Sequence, residues 1–210
     1  MGKYEQALHQ FQDALEMKTR GGDRMGQGFT LFGIGLASTY LGDYAEAEEA
    51  LQRSLELRQQ IDDERGISYS LHGLGLVALF QQQCDRARDY FQQARTIHAQ
   101  LGLKAEIIAD LSYLGQVYLC QDKVKDALDA SAQAIALLAE QKNIGEEQQI
   151  YLNHYRVLLA NGDPVAADFL HKAYEAMMDQ ANRLVSDEER EGFLEKVKVN
   201  QEINAALTRL

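Results

Sequence analysis

Apolar residues recur along this chain at the spacing of one helical face, and short polar breaks interrupt them at regular intervals. Leu71, Leu74, Leu76 and Val77 show the 3.6-residue rhythm inside one such stretch. The breaks carry turn and cap residues. Gly42-Asp43 reads as a turn and an N-cap, with Glu46 placed to complete a capping box. Asp163-Pro164 reads as an N-cap followed by proline at the first helical position. Together these signals predict helices over 3–19, 24–41, 44–61, 64–81, 84–101, 104–121, 124–141, 145–161, 164–183, 187–196 and 200–209.

The same pattern repeats with a period of forty residues. Ala7, Ala47, Ala87, Ala127 and Ala167 fall in one frame. Ala14, Ser54, Ala94, Ala134 and Tyr174 follow seven residues later, and Met17, Leu57, Ile97, Leu137 and Met177 ten residues later. Leu31, Leu71 and Leu111 share the spacing, as do Gly35, Gly75 and Gly115. Small residues let a neighbouring helix approach, and the large ones fill the space beside it. Glycine inside a helix costs roughly 1 kcal/mol against alanine, so Gly35 and Gly75 imply close helix contact. Each period holds two helices. The fold expected is all-α, a right-handed superhelical solenoid of antiparallel helix pairs. The solenoid is expected over 1–183, about four and a half repeats, with capping helices over 184–210.

Composition narrows the function. A net charge of −11 opposes nucleic-acid binding and anionic membrane surfaces, both of which need a basic stripe. The acids crowd between Gly42 and Gly66, which holds eight of them against three arginines. No apolar run reaches the roughly 18–20 residues a membrane span needs, and no signal peptide opens the chain. A cytoplasmic location is expected. Cys84 and Cys120 belong to no C-x-x-C pair, so reduced, buried thiols are expected in place of zinc or redox chemistry. The five histidines show no metal-ligand spacing, and no Walker loop or G-x-S-x-G occurs. Gly33-Ile34-Gly35 and Gly73-Leu74-Gly75 follow no strand and are not phosphate loops. Neither catalysis nor a cofactor is expected.

Leu31, Gly35, Gly42, Tyr44, Ala47, Leu51 and Ser54 in one unit, and Leu111, Gly115, Tyr118, Ala127 and Ala134 further on, carry a resemblance to the tetratricopeptide repeat. The period resembles the longer variant seen in kinesin light chains and in many bacterial regulators, including the C-terminal tracts of large signalling proteins. Tyr155 and Tyr174 depart from the pattern, where glycine and a small residue are expected, and suggest a capping unit. The resemblance implies a protein-interaction scaffold whose concave groove, lined by the first helix of each pair, takes a peptide or a partner helix. The corresponding positions are Phe29, Phe32, Leu36 and Tyr40, then Tyr69, His72, Leu76, Leu79 and Phe80, then Gln116, Leu152 and Arg156. The alternative to a groove contact is that these rings pack between adjacent helices. A carboxylate-clamp mode has little to use, since only Asn153 falls where its asparagines stand.

The frame starts at the second helix of a pair, so a piece of a longer regulatory protein is expected. Leu8, Phe11 and Leu15 are expected to be uncovered. Homodimerisation through this helix or the tail, and sensing of a small signalling peptide, are the alternative readings. Phe193, Leu194, Val197, Ile203 and Leu207 are expected to close the last face.

Overall fold

A computed structural model describes residues 2–141 and 144–210, with side chains from Tyr4 onward. Among the described residues the secondary structure is helical throughout. The helices are α1 (Gly2–Arg20), α2 (Arg24–Leu41), α3 (Tyr44–Gln60), α4 (Glu64–Phe80), α5 (Cys84–Gln100), α6 (Lys104–Cys120), α7 (Val124–Ala139), α8 (Glu147–Ala160), α9 (Ala166–Ala181), α10 (Asp187–Lys196) and α11 (Lys198–Leu207). They form two compact units, Met1–Leu103 and Lys104–Leu210. Within each unit consecutive helices pack as antiparallel neighbours, the α-solenoid arrangement of helix pairs. The even-numbered helices α2 to α8 are the first helices of their pairs, and the odd-numbered helices α1 to α9 are the second helices.

One turn, used again and again, sets this geometry. The backbone N–H groups of Asp23, Asp43, Asp63, Gln83, Leu103, Lys123 and Asp163 donate to the carbonyls of Lys18, Ser38, Arg58, Ala78, His98, Tyr118 and Leu158 at 2.8–3.0 Å. Each is a six-to-one bond that closes a helix end, and it needs a left-handed residue just before its donor. That residue is glycine at 22, 42, 102 and 162, but Asp62, Gln82 and Asp122 adopt φ of 53°, 60° and 57°. Among the described residues these turns recur every twenty residues from Asp23 to Lys123, twice the frequency of the sequence repeat, and again at Asp163.

Caps follow sequence only in part. Asp23 and Asp63 accept from the N–H groups of Gly26 and Gly66 at 2.8 and 2.9 Å. The capping box at Ser186 and Glu189 is present. Asp43 makes no such bond, and the Glu46 carboxylate accepts from the Ser38 hydroxyl at 2.9 Å, so the capping box expected there is absent. Pro164 precedes the helix: Asp163 accepts from the Val165 N–H at 3.1 Å, and α9 begins only at Ala166.

In the N-terminal unit the second helix α3 seats against two first helices, α2 and α4. Leu51 of α3 lies beneath Gly35 of α2 and Gly73 of α4, where an added Cβ would come within 2.4 and 2.7 Å of its side chain. Ser54 donates to the Gly28 carbonyl at 2.7 Å and meets the Ser70 hydroxyl at 2.9 Å, linking α3 to both neighbours. Leu8, Phe11 and Leu15 are not bare: they pack against Leu31, Ile34 and Ala50. The side of α1 left to solvent carries Gln6, Gln10, Asp13 and Met17.

The C-terminal unit corrects the repeat frame. In α7 the buried positions are Ala127, Ala130, Ser131, Ala134 and Leu138. In α9 they are Ala166, Leu170, Ala173, Met177 and Ala181. The frame is therefore one residue shorter there, because Asp163 precedes its first buried alanine by one residue less than Lys123 does. Ala173 takes the small position and Tyr174 points outward, 38% exposed. Tyr174 is thus no departure from the pattern. α11 packs on α9 and α8, inserting fully buried Ile203 beside Phe193, Leu194 and Leu207. Both cysteines are half-buried and neither is a free thiol, contrary to the reduced, buried pair expected.

Candidate functional site

The expected groove positions divide by unit. In the N-terminal unit they make an aromatic seam between first helices. The Phe32 and Tyr69 rings lie 6.1 Å apart and join α2 to α4. Tyr40 stacks on Tyr4 at 5.2 Å and reaches Phe80 at 6.4 Å, while Phe80 also meets Tyr44 at 6.5 Å. His72 stands edge-on to Phe91 at 5.2 Å. Phe32, Leu36, Tyr40, Tyr69, His72 and Phe80 are half-buried. Leu76 and Leu79 are buried, at 3% and 8% exposure, and present little surface. Phe29 is the contrast at 63%, with Met25 one turn before it at 67%. Met25, Phe29, Phe32 and Leu36 form one stripe along α2, open at its N-terminal end and packed further along.

A buried cation lies beneath this seam. Arg58 of α3 is 4% exposed, its guanidinium is 5.6 Å from the centre of the Phe32 ring, and its Nε has no hydrogen-bond partner among the described residues. It fits because Gly28 and Gly66 have no side chains: an added Cβ would meet Arg58 at 3.1 and 2.5 Å. Burial pushes the guanidinium down from its ordinary value, and the charges of Asp63 and Tyr69 oppose that shift. Arg65, above Tyr69, donates to the phenol oxygen at 3.0 and 3.1 Å. Only the equivalence of Lys18, Arg58 and His98 in the forty-residue frame could have signalled a basic position here.

In the C-terminal unit the equivalent seam is built of amides. Asn153 is fully buried; it donates to the Ser112 hydroxyl at 3.0 Å and accepts from Gln149 at 2.9 Å. Gln116 donates to the Asn153 carbonyl at 2.8 Å. Asn153 therefore spends its amide on the fold. Leu152 is buried in the core, and Arg156 pairs with Glu202 of α11 at 3.0 Å. His154, where Ile34, Leu74 and Leu114 stand in the other first helices, is 7% exposed; it meets Ser131 at 3.0 Å and the edge of Phe169 at 4.4 Å. Burial first, and then the charge of Lys172, push its pKa down, against Asp163.

Among the described residues no group of three His, Cys, Asp or Glu side chains gathers as a metal site, and no helix is long and apolar enough to cross a membrane. The arrangement offers an apolar surface and hydrogen-bonding edges.

A family profile described as the tetratricopeptide repeat matches residues 1–60 and 66–140. The chain resembles a solved structure of nearly identical TPR-like repeats of a putative kinesin light chain from Podosopora anserina, with TM-score 0.63, 17% identity, and coverage of 86% of this chain and 90% of that one. It also resembles BtubC (BKLC) from P. vanneervenii, with TM-score 0.67, 15% identity, and coverage of 98% and 89%. MamA is similar at TM-score 0.50 and 18% identity, over 89% of this chain and 98% of that one. Among curated proteins none matches. At these identities the structural likenesses speak for the fold.

Proposed function

The chain belongs to the tetratricopeptide-repeat family, and from that premise we propose that it is a non-catalytic scaffold that holds a peptide or partner helix along α2 and α4. The observation that carries this reading is the stripe of Met25 and Phe29, both left in solvent beside the Phe32–Tyr69 seam. Large apolar groups exposed in register on one helix mark a contact surface, and an amphipathic partner laid across them would bury them. The seam below supplies a rigid floor, so little order has to be created on binding.

A partner segment with apolar residues at helical spacing fits this stripe. The acidic exterior of the chain steers basic partners toward it and does not set the contact itself. Self-association through α1 has less to work with, since its solvent side is polar apart from Met17.

The test uses random peptides displayed on phage and selected on the whole chain. Replacing Phe29 with serine is expected to abolish binding of the selected peptides while helicity and melting temperature stay unchanged, because the ring is already in solvent. Peptides that bind F29S as well as the parent, or that protect amides only in the C-terminal unit from exchange, would overturn this location.

A further inference from the structure

We propose that the cleft between α8 and α9 is a binding site for a small zwitterion, either a free α-amino acid or a short peptide with unblocked ends. This inference stands apart from the α2–α4 reading and rests on different residues.

The cleft exists because two repeat positions have changed together. Elsewhere the first helix presents Leu31, Leu71 or Leu111, and the second helix presents Leu57, Ile97 or Leu137 in the corrected frame. Leu31 and Leu57 fall in one apolar cluster and fill their own space. In the last pair the same positions hold Tyr151 and Ala176. A methyl group replaces a branched chain and a phenol replaces the facing leucine. The result is a cleft of about 430 Å³ lined by Glu147, Tyr151, Lys172, Glu175, Ala176, Asp179, Gln180 and Arg183. That volume lies at the small end of the range for ligand sites.

The lining sets the chemistry. Tyr151 and Ala176 give it an apolar floor. Burial, and then Glu147, push the Tyr151 phenol up, which keeps it a hydrogen-bond donor. Gln180 is fixed on both sides: it accepts from Gln148 at 3.0 Å and donates to the Gly145 carbonyl. Lys172 is held over the Phe169 ring, its Nζ 4.4 Å from the centre. Glu175 lies one helical turn from Lys172 on α9, and Asp179 is four residues before Arg183 in the turn that follows α9, yet neither pair forms an ion pair among the described residues. A lone cation would leave Lys172 and Arg183 without a counter-charge, and a lone anion would leave Glu175 and Asp179 without one, while Glu147 already accepts from the Ile144 N–H at 2.9 Å. A ligand with an ammonium and a carboxylate a few ångströms apart answers both, with its side chain on Tyr151 and Ala176.

Isothermal titration calorimetry of the full chain tests this with four probes: L-leucine, L-leucyl-L-leucine, the N-acetylated dipeptide and the dipeptide amide. Saturable binding of leucine or of the free dipeptide is expected, with each blocking group weakening the dipeptide about tenfold through the loss of one charge contact. Leucine alone binding identifies a free amino acid; the dipeptide binding more tightly identifies a peptide. Ala176→Leu, which restores the residue type of the other pairs, is expected to abolish binding and keep or raise the melting temperature. Tyr151→Leu is a second variant with the same expectation, should A176L fold poorly. Equal binding of free and blocked dipeptides, undiminished binding by a folded variant, or no saturable heat with either unblocked probe would each overturn the proposal.

Discussion

In the N-terminal unit α2 and α4 meet through rings: Phe32 on Tyr69, and Tyr40 on Phe80, with the Arg58 cation wedged below. In the C-terminal unit α6 and α8 meet through amides: Gln116 on the Asn153 carbonyl, and Asn153 on Ser112. The first helices keep the same forty-residue frame, and the six-to-one turn recurs in both units. The repeat thus fixes the distance between first helices and leaves open what fills it. An aromatic seam can end in exposed rings that recruit a partner. An amide seam specifies its own register, since a buried amide left unpaired costs about 1–3 kcal/mol.

The largest expected difference between the units lies under that frame. Gly35 sits over Leu51 and Gly115 over Ser131, the equivalent position. An alanine Cβ at 35 would come within 2.4 Å of the Leu51 Cγ, whereas at 115 its nearest contact is 3.2 Å, to the Ser131 Cβ. Gly35→Ala is expected to cost about 1–3 kcal/mol by overpacking. Gly115→Ala is expected near zero, because its helix-propensity gain of roughly 1 kcal/mol offsets a mild contact. Urea denaturation of both variants checks this, and equal losses would mean that glycine serves the two units alike.

Arg58 sharpens the comparison from the opposite side. The C-terminal unit places Leu138 and Met177 at its position, both buried. A buried cation without close ion pairing is expensive, and apolar replacement of such groups is often neutral or stabilising by about 1–4 kcal/mol. Arg58→Met is therefore expected to leave the midpoint unchanged or raise it. A clear loss would mean that the guanidinium does more for the seam than its contact with Phe32 shows.

His154 gives the C-terminal unit a pH dependence that the N-terminal unit does not share at Ile34 and Leu74. Its folded pKa is lowered, so the folded unit keeps it neutral. The unfolded chain takes up a proton below about pH 6.5. The unfolded state then binds more protons, and stability falls as pH drops from that value toward the folded pKa, with a slope of at most about 1.4 kcal/mol per pH unit. At neutral pH and above the group contributes no slope. His154→Leu is expected to flatten the loss between pH 7 and 5 in thermal melts; an unchanged slope would place the acid sensitivity elsewhere.

Much of this was legible in the sequence, and the exceptions have physical causes. The helices appear in the periodicity because their buried faces must be apolar. The register slip at α9 is hidden because Ala166 and Ala167 are both alanine, and only burial distinguishes them. Arg58 reads as solvated charge because burial of a long cationic side chain depends on two glycines from other helices. Leu76, Leu79 and Leu152 fall on the first helices where a groove was expected, and their burial follows from packing that spacing alone does not reveal. The exposure of Phe29 is the same kind of fact.

The smallest expected effect concerns the turns, where the units ought to agree. Asp62 and Gln82 in the N-terminal unit and Asp122 in the C-terminal unit hold left-handed conformations that Gly22, Gly42, Gly102 and Gly162 hold at equivalent turns. A side chain in that region costs about 1–2 kcal/mol, least for aspartate, whose short polar chain tolerates it. Glycine recovers most of that strain but makes the unfolded chain freer to move. The net gain is expected to be about 0.5–1 kcal/mol for Gln82→Gly and smaller for Asp62→Gly and Asp122→Gly. Because each turn keeps the same six-to-one hydrogen bond, the two aspartate variants should gain alike despite their different seams. Denaturation midpoints for the three variants decide the matter: a gain at one aspartate and a loss at the other would show that the turns, and not only the seams, differ between the units.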